Sequence, residues 1–206
     1  MRKVTRTAPA KINLGLDVTG TRPDGYHLLE TVFQAVSIAD TVTVELTDTP
    51  DIALTCDVAG VPCSPKNIAW KAAQRYLDAA GLTDGVQIHI EKRIPMEAGM
   101  GGGSTDGAAV LLALQELTGN ALSMDKLAEI AVSLGADVPF FLYGGTAYAA
   151  GIGEKLEKLP AFSTDCMVIA KGTAGVSTAQ AYGAIDALQN RSEEHTSELQ
   201  SQSVIS

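Results

Sequence analysis

The stretch Pro95–Leu117, PMEAGMGGGSTDGAAVLLALQEL, decides how this chain is read. Gly99, Gly101, Gly102 and Gly103 let the backbone bend so that several N–H groups face one place. Ahead of the run, Val86–Lys92 alternates as a strand, with Val86, Ile88 and Ile90 on one face. Behind it the pattern predicts a helix from about Ser104 to Leu117, strongly apolar at Val110, Leu111, Leu114 and Leu117. Such a helix adds unpaired N-terminal N–H groups and the positive end of its dipole. Strand, glycine run and helix together make a phosphate site. It is not a Walker loop, because no Lys follows the last glycine. It is not the dinucleotide fingerprint either: no strand-helix-strand repeat and no acidic ribose reader are legible around it. The plainer reading is a flexible loop or a tight packing turn, and it must account for four glycines between a strand and an apolar helix. Ser104 and Thr105 suit phosphate or Mg²⁺ placement, and equally a helix N-cap; the two roles are compatible. Asp106 falls in the first helical turn, where acidic groups are favoured.

Outward from the loop, Val4–Ala8, Asn13–Thr19, Leu28–Ser37, Thr41–Leu46 and Ile52–Cys56 read as strands. Thr21–Gly25, TRPDG, is a turn. Asn67–Ala80 is an amphipathic helix that Asn67 can cap and Gly81 can end. Ser123 can cap another, running to Leu134 with Leu127, Ile130 and Ala131 inward. Gly145–Ala150 and Asp165–Ala170 read as strands, Leu159–Ser163 as a linker and Thr178–Leu188 as a helix. His89, between Ile88 and Ile90, is expected to face solvent. Strands in antiparallel-looking runs followed by clustered helices argue for the α+β class.

The 206 residues suit one domain and part of a second. A formal net charge of −9 argues against duplex nucleic acid or an anionic membrane as partner. No segment reaches the ~20 apolar residues that span a bilayer. The N-terminus lacks the apolar run of a secretory signal, so a cytoplasmic protein is expected. Cys56, Cys63 and Cys166 have no metal-type spacing and read as reduced, mostly packed thiols. From Arg191 the composition turns to Ser, Glu and Gln. RSEEHTSELQSQSVIS resembles a translated sequencing adapter, so residues 191–206 are expected to be non-native, and His195 is no candidate for a site.

Three segments carry a resemblance. PMEAGMGGGSTDGAA is similar to the P-x-x-x-G-x-G-G-S-S-x-A motif of the GHMP kinases, the family of galactokinase, homoserine kinase and mevalonate kinase. PAKINLGLDVTGTRPDGYHLLETVFQ (Pro9–Gln34) and GADVPFFLYGGTAYAAGIGEKL (Gly135–Leu156) resemble the branch that acts on a cytidylyl-methylerythritol. The resemblance runs from about Ala8 to Leu188. It implies an N-terminal domain of ribosomal-protein-S5-like topology, residues 1–160, and the start of a smaller α/β sandwich, residues 161–190. It implies ATP and Mg²⁺, with phosphorylation of the acceptor's 2-hydroxyl. The natural C-terminus is expected to be missing, so these residues alone are expected to turn over poorly or not at all. Another GHMP kinase, such as homoserine kinase, and a non-catalytic nucleotide-binding module are the rival readings.

The resemblance also carries residue roles. The ATP loop is Pro95, Met96, Glu97, Ala98, Gly99, Met100, Gly101, Gly102, Gly103, Ser104 and Thr105. Asp137 becomes the general base, although an Asp before Val138-Pro139 is equally a turn or capping residue on spacing alone. Lys11, between Ala10 and Ile12 and so expected to be partly buried, becomes its partner. Asn13 shares its strand face and is placed near the acceptor. Tyr26 and His27 are assigned to stacking on the cytosine and reading its edge, and Tyr182 to the second face of the stack. Lys66 and Asn67 lie near the adenosine approach. Two positions depart from the family. Glu97 replaces a small residue and is expected to point to solvent. Ala150 stands where the family often has Glu.

Overall fold

The computed structural model describes residues 2–164, 166–172, 181, 183 and 184, and the fold is that of these residues. In chain order it comprises β1 Arg2–Thr21, β2 His27–Thr47, β3 Ile52–Cys56, α1 Ile68–Ala80, β4 Gly85–Glu91, α2 Gly102–Leu117, α3 Met124–Leu134, α4 Val138–Tyr143, β5 Thr146–Gly151 and β6 Lys155–Lys158. The chain divides into two compact units. The first runs to Ala10 and takes in Val36–Ile94 and Gly101–Tyr143. The second takes Lys11–Ala35, Pro95–Met100 and the chain from Gly144. β1 and β2 contribute a half to each.

In the first unit β4 is the hub of a small mixed sheet. It pairs antiparallel with β2, Val42 opposite Ile90 and Leu46 opposite Val86, and parallel with β3, Leu54 opposite Ile88. Parallel neighbours need a crossover, which α1 supplies. One strand-helix-strand unit therefore does stand ahead of the glycine run, although the sequence reading found none. Its strands are short, and β2 pairs antiparallel with both β4 and β5. Val42, Val44, Val86 and Ile90 are completely buried, as are Ala72, Tyr76, Val110, Leu111, Leu114 and Leu127 from the helices. Asn67 caps α1 by accepting from the Ala69 N–H, and Gly81 ends it at φ 64°. Ser123 caps α3 by accepting from Lys126 N–H. His89 is exposed and bonds Thr55, as expected.

In the second unit the first half of β2 pairs antiparallel with β5, Val32 opposite Tyr148, and β5 with β6. The TRPDG turn is formed: Gly25, at φ 87°, donates to the Arg22 carbonyl at 2.9 Å, and Arg22 donates to the Tyr26 carbonyl at 2.7 Å.

Four expected strands are in fact two long ones. Pro9 does not break β1, because β1 pairs with β2 alone among the described strands and an edge position tolerates a missing N–H. Asp40 does not break β2, because its buried carboxylate is satisfied by hydrogen bonds rather than by a turn. α2 starts at Gly102, two residues before the predicted Ser104. The short α4 and β6 were not foreseen. Residues 166–172 form no strand, and most of the predicted Thr178–Leu188 helix lies outside the described residues; Ala181, Gly183 and Ala184 are helical.

α2 lies against α1 closely enough to need a glycine. A Cβ on Gly107 would come within 2.6 Å of Ile68 Cγ2, a branched methyl that cannot swing away. Gly107→Val is expected to destabilise the fold by about 1–3 kcal/mol through overpacking. Urea denaturation would measure it, and adding Ile68→Ala should recover part of the loss. A fully stable Gly107→Val protein would contradict this packing.

Candidate functional site

The amide cluster at the start of α2 is built by backbone conformation. Gly101 caps the helix in the left-handed region, φ 71° and ψ 22°, with no side-chain cap. Ser104 and Thr105 are therefore inside the helix rather than caps of it. Thr105 gives its N–H to the Gly101 carbonyl at 2.8 Å, and its side chain is buried. The N–H groups of Gly102, Gly103 and Ser104 precede that first intrahelical bond and point out of the helix end. Gly102 packs closely: a Cβ there would lie 3.2 Å from Lys92 Nζ and 3.3 Å from Ile94 Cγ2, so a larger residue would push on both.

Just below this end lies a charge cluster that the sequence reading missed. Lys92 Nζ donates to Asp40 Oδ2 and, at 2.8 Å, to Asp106 Oδ2. Asp40 Oδ1 accepts from the backbone N–H groups of Arg93 and Ile94, the latter at 2.8 Å. Asp40 is completely buried and Asp106 is 3% exposed. Asp106 Oδ1 has no hydrogen-bond partner among the described residues. Burial pushes the Asp106 carboxyl up to about 7, although the Lys92 charge and hydrogen bond oppose it. For Lys92, burial works against the ammonium. Asp106 and Asp40 together outweigh it and hold the group above its ordinary value.

In the second unit, Lys11 is buried and β1 fixes its direction. Its Nζ donates to Asn13 Oδ1 at 2.8 Å and lies 4.8 Å from the centre of the Phe33 ring. Asn13 Nδ2 donates to Thr31 Oγ1 at 2.8 Å, and that hydroxyl donates to the Gly15 carbonyl at 2.7 Å. The relay fixes which side of the Asn13 amide faces Lys11. The Lys11 backbone N–H also donates to the Met100 carbonyl at 3.0 Å, tying β1 to the glycine run. Thr31, buried and unpredicted, gave no signal in the sequence beyond its place on an alternating strand. Pro95, Met96, Glu97 and Gly99 are exposed, Ala98 is half-buried and Met100 is buried. Glu97 is exposed at φ 54°, and Gly99 is also left-handed at φ 66°. An open cleft lined by Asp17, Glu30 and Tyr148, among others, includes Thr31 but neither Lys11 nor the glycine run.

Asp137 is half-buried in the turn just ahead of α4, in the first unit, whereas Lys11 belongs to the second. Tyr26 is 59% exposed on the turn between β1 and β2, and half-buried His27 opens β2. Lys66 is exposed, and the Asn67 side chain is engaged in capping α1. Tyr182 lies outside the described residues.

Residues 67–145 match the family described as GHMP kinases N terminal domain. In sequence the chain is similar to the 4-diphosphocytidyl-2-C-methyl-D-erythritol kinase of Geobacter metallireducens, 48% identical over 182 residues, which cover 88% of this chain and 65% of that protein. The kinase of the same name from Clostridium tetani is 45% identical over 179 residues, 87% of this chain and 64% of that one. The chain thus spans just under two thirds of the length of these relatives. A crystal structure of 4-(cytidine 5'-diphospho)-2C-methyl-D-erythritol kinase matches 76% of this chain and 55% of that chain, with a TM-score of 0.65 and 48% identity. The Methanococcus jannaschii mevalonate kinase matches 96% of this chain and 70% of that one, with a TM-score of 0.70 at 16% identity, a likeness of fold.

The raised Asp106 carboxyl has a consequence for stability. An unfolded Asp loses its proton near pH 4, whereas the folded one holds it to about 7. Its contribution is therefore largest below pH 4 and is lost as the pH rises to 7 and beyond. Asp106→Asn removes the titration while leaving an acceptor for Lys92. Relative to the parent, the variant is expected to gain about 2 kcal/mol between pH 5.5 and pH 8. Urea midpoints at those two pH values measure the gain. An offset that does not change with pH would show that Asp106 does not titrate there.

Proposed function

We propose that the protein is an ATP-dependent kinase for the 2-hydroxyl of 4-diphosphocytidyl-2-C-methyl-D-erythritol. One observation carries this reading: the 45–48% identity to relatives of that name runs through 87–88% of the chain. The N–H groups of Gly102, Gly103 and Ser104 suit the triphosphate, since the helix dipole adds to their pull on anionic oxygens. ATP enters as its Mg²⁺ complex. Such a cation keeps waters and phosphate oxygens as most of its ligands. Among the described residues no group of three or more His, Cys, Asp or Glu gathers as a cage, and half-buried Ser104 is the hydroxyl suited to contribute.

In the proposed reaction the acceptor oxygen attacks the γ-phosphorus, the bond from that phosphorus to ADP breaks, and Asp137 takes the hydroxyl proton. Lys11 orients the acceptor oxygen. Asn13, held by Thr31, aims Lys11. Tyr26 stacks on the cytosine, His27 reads its polar edge, and Tyr182 closes the stack. Most of the acceleration comes from positioning and from stabilising charge.

The test assays phosphate transfer from ATP by this chain and by the chain extended through the length of its relatives. The cytidylyl acceptor and homoserine are offered side by side. Transfer to the cytidylyl compound is expected, with Asp137→Asn lowering kcat by about 10²–10⁴-fold. Transfer to homoserine alone would replace the acceptor assignment. Calorimetry showing ATP binding by both forms, with no transfer to either acceptor, would favour a nucleotide-binding module. Near-normal turnover of Asp137→Asn would remove it as the base.

A further inference from the structure

We infer that Asp40, Lys92 and Asp106 are positioning residues for the phosphate loop, a clamp that sets the separation of its two ends. The inference rests on the ATP reading above. On the side leading into the loop, Asp40 Oδ1 holds the Arg93 and Ile94 N–H groups. On the far side, Asp106 sits one turn inside α2 and is held by Lys92 Nζ at 2.8 Å. The same ammonium donates to Asp40, so one lysine fastens both ends to a single strand. The place a Cβ of Gly102 would occupy lies 3.2 Å from this ammonium, so the first helical turn packs close beside the cluster. Any slackening of the ion cluster therefore shifts the first helical turn, whose amides must converge on the phosphates.

The two carboxylates also decide what Lys92 does. The lysine side chain is 7% exposed and donates to both acids, so it braces the loop from below and does not bind phosphate itself. This is the reverse of a Walker lysine, which reaches the phosphates directly. The two roles predict opposite effects when an acid is removed. Under the clamp, losing Asp106 loosens the amides and weakens ATP binding. If Lys92 were a phosphate ligand held back by the acids, losing Asp106 would free it and strengthen binding.

Calorimetry of ATP and AMP binding to the full chain separates the two. AMP lacks the outer phosphates and reports on the nucleoside end. Asp106→Leu is expected to weaken ATP binding about tenfold or more and to leave AMP binding unchanged. Asp106→Asn, which keeps an acceptor for Lys92, should recover most of that loss. ATP binding by Asp106→Leu as tight as the parent's, or tighter, overturns the clamp. Should Asp106→Leu not fold, Asp106→Ser leaves room for a water and carries the same two outcomes. Should the parent bind no ATP, the kinase reading fails, and amide hydrogen exchange then judges the clamp. Faster exchange at Arg93, Ile94 and Gly101–Ser104 in the variant supports it, and unchanged exchange overturns it.

Discussion

One buried lysine between two buried carboxylates is the constraint on which the rest of this structure turns. Lys92 lies between Asp40 of β2 and Asp106 of α2. Taking such charges out of water is costly, and the return in net stability is small. What the arrangement supplies is position. Removing one partner would leave an uncompensated charge inside, at a cost of about 3–5 kcal/mol, so the three groups hold one another in place. Apolar side chains of similar volume could fill the space, but they could not hold the Arg93 and Ile94 amides and the first turn of α2 to one point on a strand. The orphaned Asp106 Oδ1 and the upward shift of its carboxyl show that the cluster is not optimised for stability alone.

Much of the scaffold was legible because it is written in local signals. Asn67 and Gly81 bracket α1, Ser123 starts α3, and Val86, Ile88 and Ile90 alternate on β4; each cue lies within a few residues of its effect. The glycine run was legible for the same reason, since Gly99 and Gly101 take left-handed conformations that other residues adopt only with strain. The start of α2 was misplaced because Ser and Thr are the usual caps, whereas here Gly101 turns the chain and needs no side chain to do so. Where the decisive partner is remote, the reading failed. Pro9 and Asp40 look like strand breakers until the edge position of one and the hydrogen bonds of the other are known. Asp106 looks like a solvated helix acid until Lys92, 14 residues away, and Asp40 are placed beside it.

The candidate site shows the same division. That Lys11 would be buried followed from its neighbours Ala10 and Ile12, and that Asn13 would share its face followed from strand alternation. Thr31 was invisible, because its part in the relay comes from the pairing of β1 with β2. Yet Thr31 settles the Asn13 amide. Its hydroxyl gives its proton to the Gly15 carbonyl and so can only accept from Asn13, which leaves Oδ1 to face Lys11. A threonine on the neighbouring strand thereby sets the geometry of a lysine through the asparagine between them.

In the proposed reading the two buried lysines divide the labour of phosphate transfer. Lys92 is engaged by acids; in that reading it works through the backbone, and the loop grips phosphate with amides whose directions are set by φ and ψ. Amides carry no information about the acceptor. A fold organised in this way can keep its loop while the acceptor end changes. Acceptor choice must then be carried elsewhere. In the proposed reading it falls to side chains at the turn between β1 and β2 and beside Lys11, where Tyr26 is largely exposed and Asn13 is fixed by its neighbours.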